Sequence, residues 1–154
     1  LAAGAYDAAV DLLKQGLANT GSLTAGMFKA IDSLALEALG SGRADVAQLL
    51  LEIVLPLTEG LELRAAYFAL GQTYSARGQA ATAAFNFMRS ALAAPTAGMD
   101  SLLLQARLQA GLNFARARYH RDARAQFEWL LVHSRDATQL EIARRELTRL
   151  GRVD

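Results

Sequence analysis

The chain contains no cysteine. That excludes disulfides and thiolate metal sites and leaves the compartment open, since a cysteine-free chain suits periplasm and cytosol alike. Proline is scarce, with two in 154 residues, and β-branched residues are few beside alanine and leucine. This balance favours helix over strand. Long apolar runs are missing. The longest is Leu49-Leu50-Leu51, then Glu52, then IVLPL at 53–57. It falls well short of the roughly 20 residues that a bilayer span needs. No signal peptide is visible, and the chain begins with Leu1 rather than methionine. It is expected to be an excised or processed segment of a longer protein.

Catalytic chemistry is thin. Of the two histidines, His120 and His133, neither has a histidine or carboxylate at i+4, so no paired metal face arises on a helix. Both are expected at the surface or at a groove edge. The stretch LGSGRAD, residues 39–45, lacks the Gly-Lys-Ser/Thr ending of a phosphate loop and reads as a turn between helices. No Gly-x-Ser-x-Gly elbow occurs, and the carboxylates are dispersed. The expectation is a non-enzyme with no catalytic residues, cofactor, metal or small-molecule substrate.

What is present is apolar and helical. Apolar residues make up 53% of the chain, enough for one domain with a real core. The net charge is +1, which gives no global attraction to nucleic acid. The charge is uneven, however. Residues 1–97 carry 6 basic and 8 acidic side chains, a net of −2, whereas residues 98–154 carry 10 arginines and 7 acids, a net of +3. The arginines are read as a solvated helical face, with a docking patch for an acidic partner as the sharper alternative. Arg116, Arg118, Arg121 and Arg124 gather near one turn, but Asp122 and Glu128 dilute them, which argues against a nucleic-acid reader.

One stretch carries a pattern. In residues 67–95, YFALGQTYSARGQAATAAFNFMRSALAAP, Tyr67, Leu70, Gly71 and Tyr74 share a stripe, followed by Gly78, Ala83, Phe87 and Pro95. This resembles the tetratricopeptide repeat, with Tyr67 in place of its tryptophan and Ser90 in place of an alanine. Gly71 and Ala83 are expected small because paired helices cross closely there. Tyr74 and Phe87 are expected between a pair and its neighbour, with Gly78 ending one helix and Pro95 the next. Gly111, Phe114, Ala123 and Phe127 repeat the spacing 40 residues on, against the usual period of about 34. There Arg107 and Ala110 replace the aromatic and the leucine. Upstream, Ile31, Leu34, Gly42, Ala47 and Leu51 form a fainter copy, with Ala35 and Ala38 at the glycine and tyrosine positions. Gly4, Ala9 and Leu13 look like the second helix of a partial unit.

Eight helices are expected, at residues 4–18, 24–39, 43–57, 60–77, 80–93, 100–117, 120–133 and 137–150. Residue 1–22 is a partial repeat, 28–61, 64–97 and 104–137 are repeats, and 137–150 either caps the stack or begins another. Asp136 and Gln139 are placed as a capping box for that last helix, whose apolar seam is Leu140, Ala143, Leu147 and Leu150. Segment 43–57 is apolar on almost every side and is expected to be buried, with self-association as the alternative. The fold class is all-α, an α-solenoid of antiparallel helix pairs in one domain.

The resemblance implies a concave groove lined by the first helix of each pair. Carried over position by position, its residues are Lys29, Asp32, Ser33, Leu36 and Leu39, then Ala65, Phe68, Ala69, Gln72 and Ser75, then Gln105, Leu108, Gln109, Leu112 and Ala115. A subfamily that grips the terminal carboxylate of heat-shock chaperones uses cations and asparagine at five such positions. Here those hold Asp32, Leu36, Ala69, Gln105 and Gln109, so that specificity is not expected. A neutral peptide or amphipathic helix of a partner protein fits better, anchored by Phe68 and Leu112. The resemblance thus implies a protein-interaction scaffold. The residue usage looks bacterial, and similar bacterial modules serve envelope assembly, secretion or polysaccharide export.

Overall fold

A computed structural model describes residues 3–20, 23–93 and 100–151. Among them are eight α-helices and no strand: α1 (Ala3–Thr20), α2 (Ala25–Gly40), α3 (Ala44–Val54), α4 (Gly60–Ala76), α5 (Ala80–Leu92), α6 (Ser101–Arg116), α7 (His120–His133) and α8 (Ala137–Leu150). The all-α class follows. Segment 43–57 is not one helix, because Pro56 turns its end into a 3-10 turn, Leu55–Leu57. Pro95, expected to end α5, lies outside the described residues.

Each helix from α2 to α8 packs on its neighbours in sequence, while α2 also meets α4 and α6 meets α8. This is the contact order that stacked helix pairs produce. Within a pair the helices run antiparallel. Arg64 near the start of α4 meets Ser90 near the end of α5, whose hydroxyl donates to the Arg64 carbonyl at 2.9 Å. Ser90 is fully buried, so this bond explains why a hydroxyl is tolerated at a small apolar position.

The turns inside the pairs share one geometry. Gly42, Gly78 and Arg118 have φ of 77°, 74° and 63°. In each turn the next N–H reaches back five residues, from Arg43 to the Ala38 carbonyl, Gln79 to Tyr74 and Tyr119 to Phe114, at 2.8–2.9 Å. This is the left-handed helix ending that glycine makes without steric cost. Arg118 adopts it against a penalty of about 1–2 kcal/mol.

The buried positions repeat as well. Ala47, Ala83 and Ala123 are fully buried, and so are Leu51 and Phe127, with Phe87 nearly so. The close crossing has a different partner from the one expected. A Cβ at Gly71 would lie 2.7 Å from the Phe87 ring, and one at Gly111 would lie 2.8 Å from the Phe127 ring. Each glycine therefore makes room for the aromatic of its own pair. Phe87 also clusters with side chains of the next pair, as expected of a residue between pairs. Tyr74 packs against both core clusters, and its hydroxyl donates to Glu52 on α3 at 2.8 Å.

Arg107 is less of a departure than its identity suggests. In α4 and α5, the Arg89 guanidinium lies over the Tyr67 ring at 5.7 Å. In α6 and α7, Arg107 lies over Trp129 at 4.7 Å. The two pairs occupy equivalent places with cation and ring exchanged, so the attraction between a guanidinium and an aromatic face survives. Burial also makes Arg107 easier to deprotonate than an ordinary arginine, and its Nη1 donates to Gln126 Oε1 at 2.7 Å.

The apolar segment around α3 is mainly core. Val46, Ala47, Leu50, Leu51 and Val54 are buried, whereas Leu49 and Leu57 stay about two-fifths exposed. At the other end, Asp136 Oδ1 caps α8 by accepting from Gln139 N at 3.0 Å. The return bond of a capping box is relayed: Gln139 Oε1 accepts from the Ser134 hydroxyl, which accepts from the Asp136 N–H. The seam includes Ala143 and Leu150 as buried members. Between the second and third pairs, Arg64 and Asp100 form two 2.6 Å bonds, and Asp100 Oδ1 also accepts from Leu103 N at 2.8 Å to cap α6.

Candidate functional site

Two clefts flank α6. The first lies toward α4. Phe68, Gln72 and Ser75 recur at helical spacing on one face of α4, while Gln105 and Gln109 do so on α6. Together with Phe87 from α5, they line a cleft of about 300 Å³. Phe87 forms an aromatic element of the floor, with Phe68 edge-on to it at 5.2 Å. The far end is tied off by polar contacts. Ser75 Oγ donates to Asn113 Oδ1 at 3.0 Å and accepts from Arg116 Nη1 at 3.4 Å, while buried Asn113 donates to the Gln109 carbonyl. Ser75 thus gives its proton to an amide rather than to a base, which does not activate a nucleophile.

Gln72, Gln105 and Gln109 have no side-chain hydrogen bond to any described residue, so their amides remain open to a ligand or to water. Each amide both donates and accepts, which matches a peptide backbone. No ionisable group lines this cleft. Its chemistry suits a neutral segment with an apolar side chain.

The second cleft, about 670 Å³, lies between the end of α6 and α8. Leu112 and Ala115 supply apolar surface from α6, and Leu150 does so from α8. Arg116, Arg118, His120, Arg145 and Arg149 surround it, with Glu146 the one acid. Glu146 is 7% exposed. It accepts from Arg145 Nε at 3.4 Å and pairs with Arg149 Nη1 at 3.7 Å. Sequence spacing grouped Arg121 and Arg124 with Arg116 and Arg118. The fold instead brings in Arg145 and Arg149 from α8.

The expected groove residues therefore separate. Phe68, Gln72, Ser75, Gln105 and Gln109 share the first cleft, while Leu112 faces the second across α6. Leu108 is 7% exposed and belongs to the second core cluster, so it is a packing residue rather than a groove contact. The cause is the position of α6, which packs on α5, α7 and α8 and so turns its Leu108 stripe into the core. Ala69 is likewise buried. On α2, Lys29 and Leu36 are exposed and Asp32 is half-buried, its carboxyl pushed up by burial. These three line neither cleft.

His120 does stand at a cleft edge. His133 stacks on Trp129 at 4.2 Å, with its Nδ1 2.8 Å from the Trp129 carbonyl. Among the described residues no group of three metal-ligating side chains forms, and no helix is long and apolar enough to cross a membrane. Phe87 and the α8 arginines are the site residues that spacing alone did not bring forward. Phe87 carried a core signal, and nothing in the α8 sequence says which neighbour its polar face meets. Comparison with protein-family models, curated proteins and solved structures finds no match to this chain.

Proposed function

We propose that this chain is a non-catalytic protein-interaction scaffold of the tetratricopeptide-repeat kind. It holds a neutral peptide or helix of a partner protein in the cleft between α4 and α6. The observation that carries this reading is the convergence of Phe68, Gln72, Ser75, Gln105 and Gln109 on one cleft with an aromatic floor and open amides. The repeated turn geometry at Gly42, Gly78 and Arg118 supports the repeat assignment. An apolar side chain against the partly exposed Phe68 supplies affinity, and the amides fix the direction of the backbone.

The test begins with capture of a partner by the intact protein and identification by mass spectrometry. The affinity of that partner is then measured against Phe68→Ala and Gln109→Ala variants. Removal of an anchor weakens binding by about tenfold or more. Unchanged affinity in both variants, with their helical content intact, rejects the cleft as the binding face. Leu49, Leu57 and Leu61, each 40% exposed or more, favour a second reading as a self-association surface. Sedimentation across a concentration series separates the two, and a strictly monomeric chain rejects the second.

A further inference from the structure

We propose that the cleft between the end of α6 and α8 is a second docking site, which takes the carboxylates of an acidic, leucine-bearing segment of the partner protein. This rests on reading the chain as a scaffold, but it concerns a different cleft and a charged ligand. Four arginines line this cleft, Arg116, Arg118, Arg145 and Arg149, against the single acid Glu146, although the Arg116 guanidinium also reaches Ser75 on α4. Glu146 engages Arg145 and Arg149 through one long contact each. An arginine has five N–H donors, so both keep donors for a second carboxylate. Their side chains are 67% and 77% exposed. Arg118 has no ion pair with any described residue.

Arg118 adds an independent mark. In the two other turns this place belongs to glycine, and only here does a charged side chain occupy the left-handed conformation. Arg118 lines the cleft from that strained site. Strain of this kind gathers where a side chain is used.

Peptide is favoured over nucleic acid by the rest of the wall. Leu112, Ala115 and Leu150 offer apolar surface, no phenylalanine, tyrosine or tryptophan lines the cleft for base stacking, and Glu146 would face a phosphate. The cations also enclose one pocket rather than tracking a backbone path. Paired guanidinium–carboxylate bonds are the geometry that such a pocket supports.

The test uses the full chain and a fluorescein-labelled peptide of alternating Glu and Leu, read by anisotropy. Controls are the same peptide with Gln for Glu, and a labelled oligothymidylate of matched charge. Wild type binds the Glu peptide about tenfold or more tighter than the Gln peptide, and added salt weakens it. Arg118→Gly weakens the Glu peptide while raising the urea midpoint, because the turn loses its strain. A stability-only role would not split those readouts. Arg149→Gln also weakens it. Phe68→Ala leaves it unchanged, whereas the cleft toward α4 fails with that variant. Equal binding of the Glu and Gln peptides overturns the proposal. So does tighter binding of the oligothymidylate, full affinity in both arginine variants, or loss of the Glu peptide in Phe68→Ala.

Discussion

Gly71→Ala sets two physical effects against each other. Helix propensity alone makes the change favourable, since glycine inside a helix is about 1 kcal/mol worse than alanine. The packing at Gly71 argues the other way. The new methyl would lie 2.7 Å from Phe87 Cδ1 and Cε1 and 2.8 Å from Cγ. Carbon atoms rest about 3.5–4.0 Å apart, so the overlap is about 1 Å at three ring atoms. The ring has little room to retreat, because Phe87 is 1% exposed and Phe68 sits edge-on against it. Overpacking of this kind costs about 1–3 kcal/mol. With the upper end of that range, and the propensity gain subtracted, the net loss is about 2 kcal/mol. In urea denaturation followed by circular dichroism the midpoint falls by about 1 M. Adding Phe87→Leu removes the clash, so the double variant is less destabilised than the sum of the single changes, by about 1 kcal/mol or more. Gly16→Ala in α1 serves as the control. Nothing stands within 4 Å of its added Cβ, and it is expected to gain up to about 1 kcal/mol. If Gly71→Ala is as stable as wild type or more so, the glycine–aromatic crossing is not what brings α4 and α5 together.

Two further predictions concern charge. Arg107→Ala, Trp129→Ala and the double variant form a cycle whose coupling energy is about 1 kcal/mol, given the partial burial of the pair and its 4.7 Å separation; zero coupling would remove the exchanged pair as an element of the repeat. Asp100→Asn keeps an α6 cap but strands Arg64, whose side chain is 2% exposed, and costs about 2 kcal/mol at neutral pH after allowance for the exposure of Asp100. The hydrogen bond from Arg64 holds the Asp100 carboxyl below its ordinary range. Its stabilising effect is therefore present above the unfolded value of about 3.9 and is lost as pH falls through the lower folded value. The difference between wild type and Asp100→Asn should accordingly narrow below about pH 4 in urea titrations, and a pH-independent difference would contradict the ion pair.

Local chemistry was legible in the chain. The scarcity of proline, the alanine and leucine content, and punctuation by Gly42, Gly78 and Asp136 determined eight helical segments with bounds near the observed ones. Helix starts and stops depend on residues close in sequence, so no distant contact had to be known. The spacing of Gly71, Ala83 and Phe87 likewise announced buried positions. What it left undecided was which atoms meet. Gly71 proved to face Phe87, and Arg107 proved to replace an aromatic by lying on one. Arg118 took the left-handed turn without the glycine that signals it.

The clefts belong wholly to the tertiary level. Residues 68, 72, 75, 105 and 109 share a wall only because α4 and α6 stand side by side, and Leu108 leaves that wall because its stripe of α6 turns into the core. Arg116 and Arg149 are far apart along the chain and close a single cationic cleft only once α8 folds back beside α6. Sequence sets the periodicity of each helix face. Which faces meet is decided by the rotation and approach of helices packed together, and the side chains that define those rotations come from every turn of the stack.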